Sequence, residues 1–183
     1  MNTPVAAREV HAFWFDTLGP DDWFRGDPAL DRRIAAEFGP LIPAARAGAL
    51  DFWRVSATGR LAEILVLDQF SRNVFRGHSE AFASDERALD LAKQAIEAGA
   101  ARNLSPCERA FLYLPFMHSE SLAEHDRALD LFSEPGLEGQ LEHERRHRAV
   151  LERFGRYPQR NAALGRTNTA EEAAFLAEPG SDF

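Results

Sequence analysis

Leu67-Asp68-Gln69-Phe70-Ser71-Arg72-Asn73-Val74-Phe75-Arg76-Gly77 is the stretch on which the fold turns. The residues leading into it, Leu61 to Leu67, read Leu-Ala-Glu-Ile-Leu-Val-Leu. They are apolar on nearly every face, so the helix they form is expected to be buried all round. That helix then carries Asp68, Gln69, Arg72 and Asn73 inward. Asp68 and Arg72 lie four residues apart, acid before base, and face each other across one turn in the favourable order. Buried groups of this kind are costly unless each is paired and hydrogen-bonded. Two arrangements meet that demand: an internal ion-pair network that sets helix register, or the wall of a polar pocket. The stretch by itself leaves both open.

Outward from this helix the chain reads as further helices. Thr3 and Pro4 predict the start of a first one, running to about Leu18 with Val10, Phe13, Trp14 and Leu18 as its apolar stripe and Gly19-Pro20 as its stop. Trp23 and Phe24 follow in a short connection and are expected to tuck under the fold. Asp27-Pro28 opens a second helix, which Gly39-Pro40 interrupts before a short helical piece to about Gly48 and a turn over Asp51 to Val55. Thr58 is the expected cap of the central helix and Ser84 that of the next. Ser105-Pro106-Cys107-Glu108 is a capping box with proline at the first helical position, the strongest start signal in the chain. The helix it opens meets Pro115, which is expected to kink or end it just before His118, Ser119 and Glu120. Helices over about Leu122–Phe132 and Leu137–Phe154 follow, then the irregular Gly155 to Asn161. Thr169-Ala170-Glu171-Glu172 is a second capping box, opening a last short helix. No stretch alternates with a period of two, so no sheet is predicted. Arg87-Ala88-Leu89-Asp90-Leu91 recurs forty residues later as Arg127-Ala128-Leu129-Asp130-Leu131, a spacing near that of a helix-pair repeat.

At 183 residues, 45% apolar and 27% charged, the chain has the composition of one ordinary globular domain over 1–183, with residues 179–183 expected as a frayed tail. No apolar run reaches the ~18–20 residues of a membrane span. The first residues lack the basic and apolar regions of a signal peptide, and Cys107 is the single cysteine, so a reducing cytoplasm is the expected setting. Cys107 reads as an inert thiol. A net charge of −8 argues against a general nucleic-acid binder. The charge is uneven, however. Lys93 is the one lysine, and from Arg145 to Arg166 there are seven arginines and one acid, Glu152. Arginine suits carboxylate and phosphate because its planar fork donates two parallel hydrogen bonds. The plainer expectation is that these arginines pair with acids elsewhere in the fold.

His143-Glu144-Arg145-Arg146-His147 matches the H-E-x-x-H pattern of zinc peptidases. Its two histidines share a helix face, but a dication there would sit beside Arg145, Arg146 and Arg148, and no convincing third ligand follows. No metal and no cofactor are expected. Phosphate-binding loops, dinucleotide fingerprints and nucleophile elbows are absent from the sequence.

Leu67 to Asn73, Pro115 to Glu120, Arg153 to Asn161, Leu164 to Arg166 and Thr169 to Glu172 together resemble domain-of-unknown-function family 924, a bacterial group. The family pattern runs Leu-Asp-Gln-Phe-x-Arg-Asn, then Pro-x-x-His-Ser-Glu, then Arg-Phe-Gly-Arg-Phe-Pro-His-Arg-Asn. The resemblance implies an all-α, tetratricopeptide-like right-handed superhelix of about nine helices, and no assigned activity. This chain departs from the pattern at Gln159, where the family has histidine, which weakens any catalytic role for that segment.

These blocks suggest one polar pocket. Asp68, Arg72, Asn73 and Arg76 come from the first, His118 and Glu120 from the second, and His147, Arg156, Arg160, Asn161 and Arg166 from the third. The surplus of arginine favours an anionic guest, a small molecule or a peptide, with neither nucleic acid nor membrane as partner. The sequence does not speak to oligomeric state. The competing readings are a metal-independent, hydrolase-like enzyme using His118 with Glu120, or His147, as acid and base, and a set of structural staples with no pocket.

Overall fold

The computed structural model describes residues 3–179, and every regular element among them is helical. Of the tail expected to fray, Pro179 is exposed and 180–183 lie outside the described residues. Helix α1 spans Val5–Ala12 and runs on as a π-helical turn, Phe13–Thr17. Short α2 (Pro20–Trp23), then α3 (Pro28–Phe38) and α4 (Leu41–Arg46), lead through a 3₁₀ turn at Asp51–Val55 to the central rod. That rod is α5 (Ala57–Leu65), a π-helical turn (Val66–Phe70) and α6 (Ser71–Val74), read through without a break in helical backbone. After it come α7 (Asp85–Glu97), α8 (Pro106–Met117), α9 (Leu122–Phe132), α10 (Glu138–Phe154) and α11 (Ala170–Leu176).

The rod is central because its own side chains demand it. Leu61, Ala62, Ile64, Leu65, Val66, Leu67 and Phe70 are all fully buried. α5 packs against α1, α7 and α8, so three neighbours cover its apolar surface. Phe70 anchors a ring cluster with Phe38 at 5.1 Å, Trp14 at 5.6 Å and Phe13 at 6.2 Å, and Trp14 meets Phe111 edge-on at 5.5 Å. Glu63 breaks the apolar run yet is buried, because Arg54 grips both its oxygens at 2.7 and 2.8 Å. Gly59 lets the rod start where it does: a Cβ there would lie 1.9 Å from the Trp53 carbonyl oxygen. Farther along the chain, neighbours in sequence pack as neighbours in space, α7 on α8, α8 on α9 and α9 on α10. A smaller apolar cluster of Val150, Leu151 and Tyr157, flanked by Phe154 and Phe175, ties α10 to α11.

Several start signals hold. Asp27 Oδ1 accepts from the Ala29 N–H at 2.8 Å, and both capping boxes form, at Ser105/Glu108 and Thr169/Glu172. Others move. Thr3 does not cap α1; its hydroxyl pairs with that of Ser56 at 2.8 Å. Ser56, not Thr58, caps the central rod by accepting from the Gly59 N–H. Ser84 makes no cap, because its hydroxyl accepts from Arg46 Nε at 2.7 Å. Trp23 packs inward and donates to the Trp14 carbonyl at 2.9 Å, but Phe24 is 68% exposed. Pro115 does not end α8, which continues to Met117. It falls in the last turn, where the missing N–H costs one hydrogen bond and no long continuation is strained.

Candidate functional site

Asp68 lies in the middle of the π-helical turn of the central rod. A π turn holds an extra residue against the α-helical count and is often found at functional positions. Here it turns Asp68 toward the end of α8. The His118 Nδ1–H donates to Asp68 Oδ1 over 2.6 Å. Arg72 NH1 lies 3.0 Å from the same oxygen, and the Gln69 amide donates to Oδ2. Burial alone would raise the Asp68 carboxyl, but Arg72 and His118 outweigh it and hold the group well below the usual carboxylate range. For His118, burial and then the Arg72 charge push the ring below its ordinary value, despite Asp68. His118 Nε2 makes no hydrogen bond among the described residues, and the side chain is 15% exposed.

Asp85, in the first turn of α7, is the hub. Its two oxygens accept from both arms of Arg72 at 2.9 Å each, and Oδ2 also accepts from Arg160 at 3.3 Å. Arg160 NH2 donates to the His118 carbonyl at 2.8 Å. Its guanidinium lies over the rings of Phe82, at 4.9 Å, and Tyr157, at 4.6 Å. Three distant parts of the chain therefore meet at Asp68, His118 and Arg160, inside the fold.

A second layer lies behind Tyr157. Its hydroxyl donates to the Met117 carbonyl at 2.6 Å, and its N–H to Glu120 at 2.7 Å. Glu120 is further held by both arms of Arg166, at 2.8 and 2.9 Å. That leaves Asp68, not Glu120, as the carboxylate behind His118. The His147 ring stands edge-on to Tyr157 at 5.7 Å, its Nδ1–H bonded to the His143 carbonyl, and burial pushes its pKa down to about 3. Fully buried His125 faces Glu144 with Nδ1, at 2.6 Å, and donates from Nε2 to the Ser119 carbonyl at 2.9 Å. Glu144 of the H-E-x-x-H segment is thus committed to His125, and burial raises its carboxyl.

The remaining expected residues lie apart from this centre. Asn73 and Arg76 both bond Asp31 of α3, Arg76 through two contacts at 2.7 and 2.9 Å. Asn73 lies on α6, which packs against α3, and Arg76 lies past the end of α6, so both reach Asp31 instead of the Asp68 centre. Arg156 grips Glu172 at 2.6 and 2.8 Å and locks the start of α11, where the hydrogen bonds and charge of that arginine hold Glu172 down at about 2. Buried Asn161 donates to Asn168 in the same corner. Sequence reasoning missed Asp85, Tyr157, Phe82 and the His125–Glu144 pair. An acid in the first turn of a helix reads as an ordinary partner of the helix dipole. A signal for two of them did exist: at the forty-residue offset of the internal echo, Asp85 falls on His125.

Residues 10–180 match the model of a family described as bacterial protein of unknown function, DUF924. The chain belongs to this family. Among solved structures, it is similar to a protein of unknown function from Agrobacterium tumefaciens, at 41% identity and a TM-score of 0.89, over 94% of this chain and 97% of that one. Among curated proteins nothing matches the chain. No helix of the described residues is long and apolar enough to cross a membrane.

Proposed function

We propose that this DUF924 protein binds an anionic small molecule or peptide end at the His118 centre. The observation that carries the reading is the unpartnered Nε2 of His118, on a side chain 15% exposed whose Nδ1 is fixed by Asp68, with Arg72 on the same Asp68 oxygen and Arg160 on the His118 backbone carbonyl. A purely structural staple would have no need of an open imidazole nitrogen. The test is a thermal-shift series with anionic metabolites and short peptides. A bound guest raises the melting temperature as its concentration exceeds Kd, and His118→Ala removes the rise while the chain stays folded. The reading fails if no anion raises the melting temperature of the wild-type chain.

A second reading is a metal-independent, hydrolase-like enzyme. The Asp68–His118 pair favours it, because a carboxylate that orients a neutral imidazole prepares the far nitrogen as a general base. In that case His118→Ala abolishes turnover of a bound substrate and leaves its affinity largely intact.

We also propose that the helices form one tetratricopeptide-like right-handed superhelix acting in the cytoplasm. The forty-residue echo supports the repeat: Ala88 and Ala128 are both fully buried, Asp90 and Asp130 both exposed, on α7 and α9. The exposed, unpaired Cys107 suits a reducing compartment.

A further inference from the structure

His118 is held in one tautomer by its neighbours. An ionised carboxylate can only accept a hydrogen bond, so the proton shared with Asp68 over 2.6 Å sits on Nδ1. Asp68 stays ionised because Arg72, at 3.0 Å, and the Gln69 amide bond it as well. A second proton on the ring is disfavoured by burial and by the Arg72 charge. Nε2 therefore presents a lone pair at neutral pH. A lone pair does not receive a bare carboxylate or phosphate oxygen, since both are acceptors; it receives an O–H or an N–H.

Arg160 supplies the complement. Its NH1 bonds Asp85 and its NH2 bonds the carbonyl of His118 itself, at 2.8 Å. A guanidinium carries more N–H groups than those two bonds use. Arg160 is thereby held on the backbone of the same residue whose ring carries the open Nε2. We infer that the guest of this centre is an anion with its own hydrogen-bond donor, a hydroxyl or amino group beside a carboxylate or phosphate. The donor meets His118 Nε2 and the negative group meets the unused N–H of Arg160. The inference rests on the anion-binding reading above.

Imidazole ¹⁵N spectra of the full chain at about pH 7.5, a unit above the free histidine pKa, report the tautomer directly. The expected result is a neutral His118 with the proton on Nδ1. Matched anions are then titrated while the Nε2 resonance is followed: lactate against propionate, and glycerol 3-phosphate against propyl phosphate. The hydroxylated member of a pair is expected to bind about tenfold tighter, the worth of one hydrogen bond, and to move Nε2. His118→Phe is expected to erase the difference within each pair. A ring protonated at Nε2, or equal binding of both members with Nε2 unmoved, overturns the donor requirement and leaves the anion site standing. If neither member of either pair binds, the anion site falls and the donor requirement falls with it. The tautomer reading on the wild-type chain holds even if the His118→Phe variant does not fold.

Discussion

Asp85→Ala removes the acid on which two arginines depend. In the folded chain, both arms of Arg72 reach it at 2.9 Å and Arg160 at 3.3 Å. The three side chains are only 17%, 19% and 13% exposed, so solvent screening is weak. Without Asp85, two guanidiniums face the same Phe82 ring with no counter-ion between them. Losing one partner of a buried ion pair costs about 3–5 kcal/mol. Arg72 keeps Asp68 and Arg160 keeps the His118 carbonyl, which places the expectation at the lower end, about 3 kcal/mol. For a chain of this size that is a fall in Tm of about 6–12 °C. Urea unfolding at neutral pH is the assay, with the midpoint lowered and the slope unchanged. A loss below about 1 kcal/mol for Asp85→Ala would refute the reasoning, because that is the worth of a pair already screened by water.

Three other outcomes are expected. Gly59→Ala drives a methyl group into the Trp53 carbonyl, backbone against backbone, and should cost about 3 kcal/mol or more, read from circular dichroism and urea midpoint; a near-neutral variant would contradict the close approach. Arg76→Ala, by contrast, removes a half-exposed partner of Asp31 and should cost at most about 1 kcal/mol in the same assay, a larger loss showing that this corner is drier than its exposure indicates. Acid should destabilise the fold early. His118 and His147 have folded pKa values below their ordinary one, so at high pH they are neutral in both states and contribute nothing. As pH falls below about 6.5 the unfolded chain takes up protons that the folded chain refuses, and stability drops by up to about 1.4 kcal/mol per pH unit for each ring. Asp68 adds to the loss only lower, once pH falls through the ordinary carboxylate range. Unfolding midpoints that do not change between about pH 7.5 and 5.5 would exclude neutral buried rings.

Much of the fold was legible because its signals are local. Asp27-Pro28, Ser105 to Glu108 and Thr169 to Glu172 start helices where they stand, since the cap and the N–H it satisfies are within three residues of each other. Ser84 and Thr3 carried the same type of signal and failed, because Arg46 and Ser56, far off in sequence, took their hydroxyls. The candidate site divides the same way. That Asp68, His118 and Arg160 belong to one polar centre was suggested by the three blocks; that Asp85 joins Arg72 to Arg160 there was not.

The amino-acid sequence alone determined the helical class, the buried central rod and the demand that its charged residues find partners. Periodicity and burial cost act along a single helix, so one strand of text suffices to read them. Tertiary structure decided who the partners are. Asp85 became the hub, Asn73 and Arg76 turned away to Asp31, and Glu144 went to His125 and not to a metal. Those choices depend on a π turn that re-aims Asp68 and on which helices lie side by side, and ion pairs between separate helices form by distance in space, which spacing along the chain does not encode.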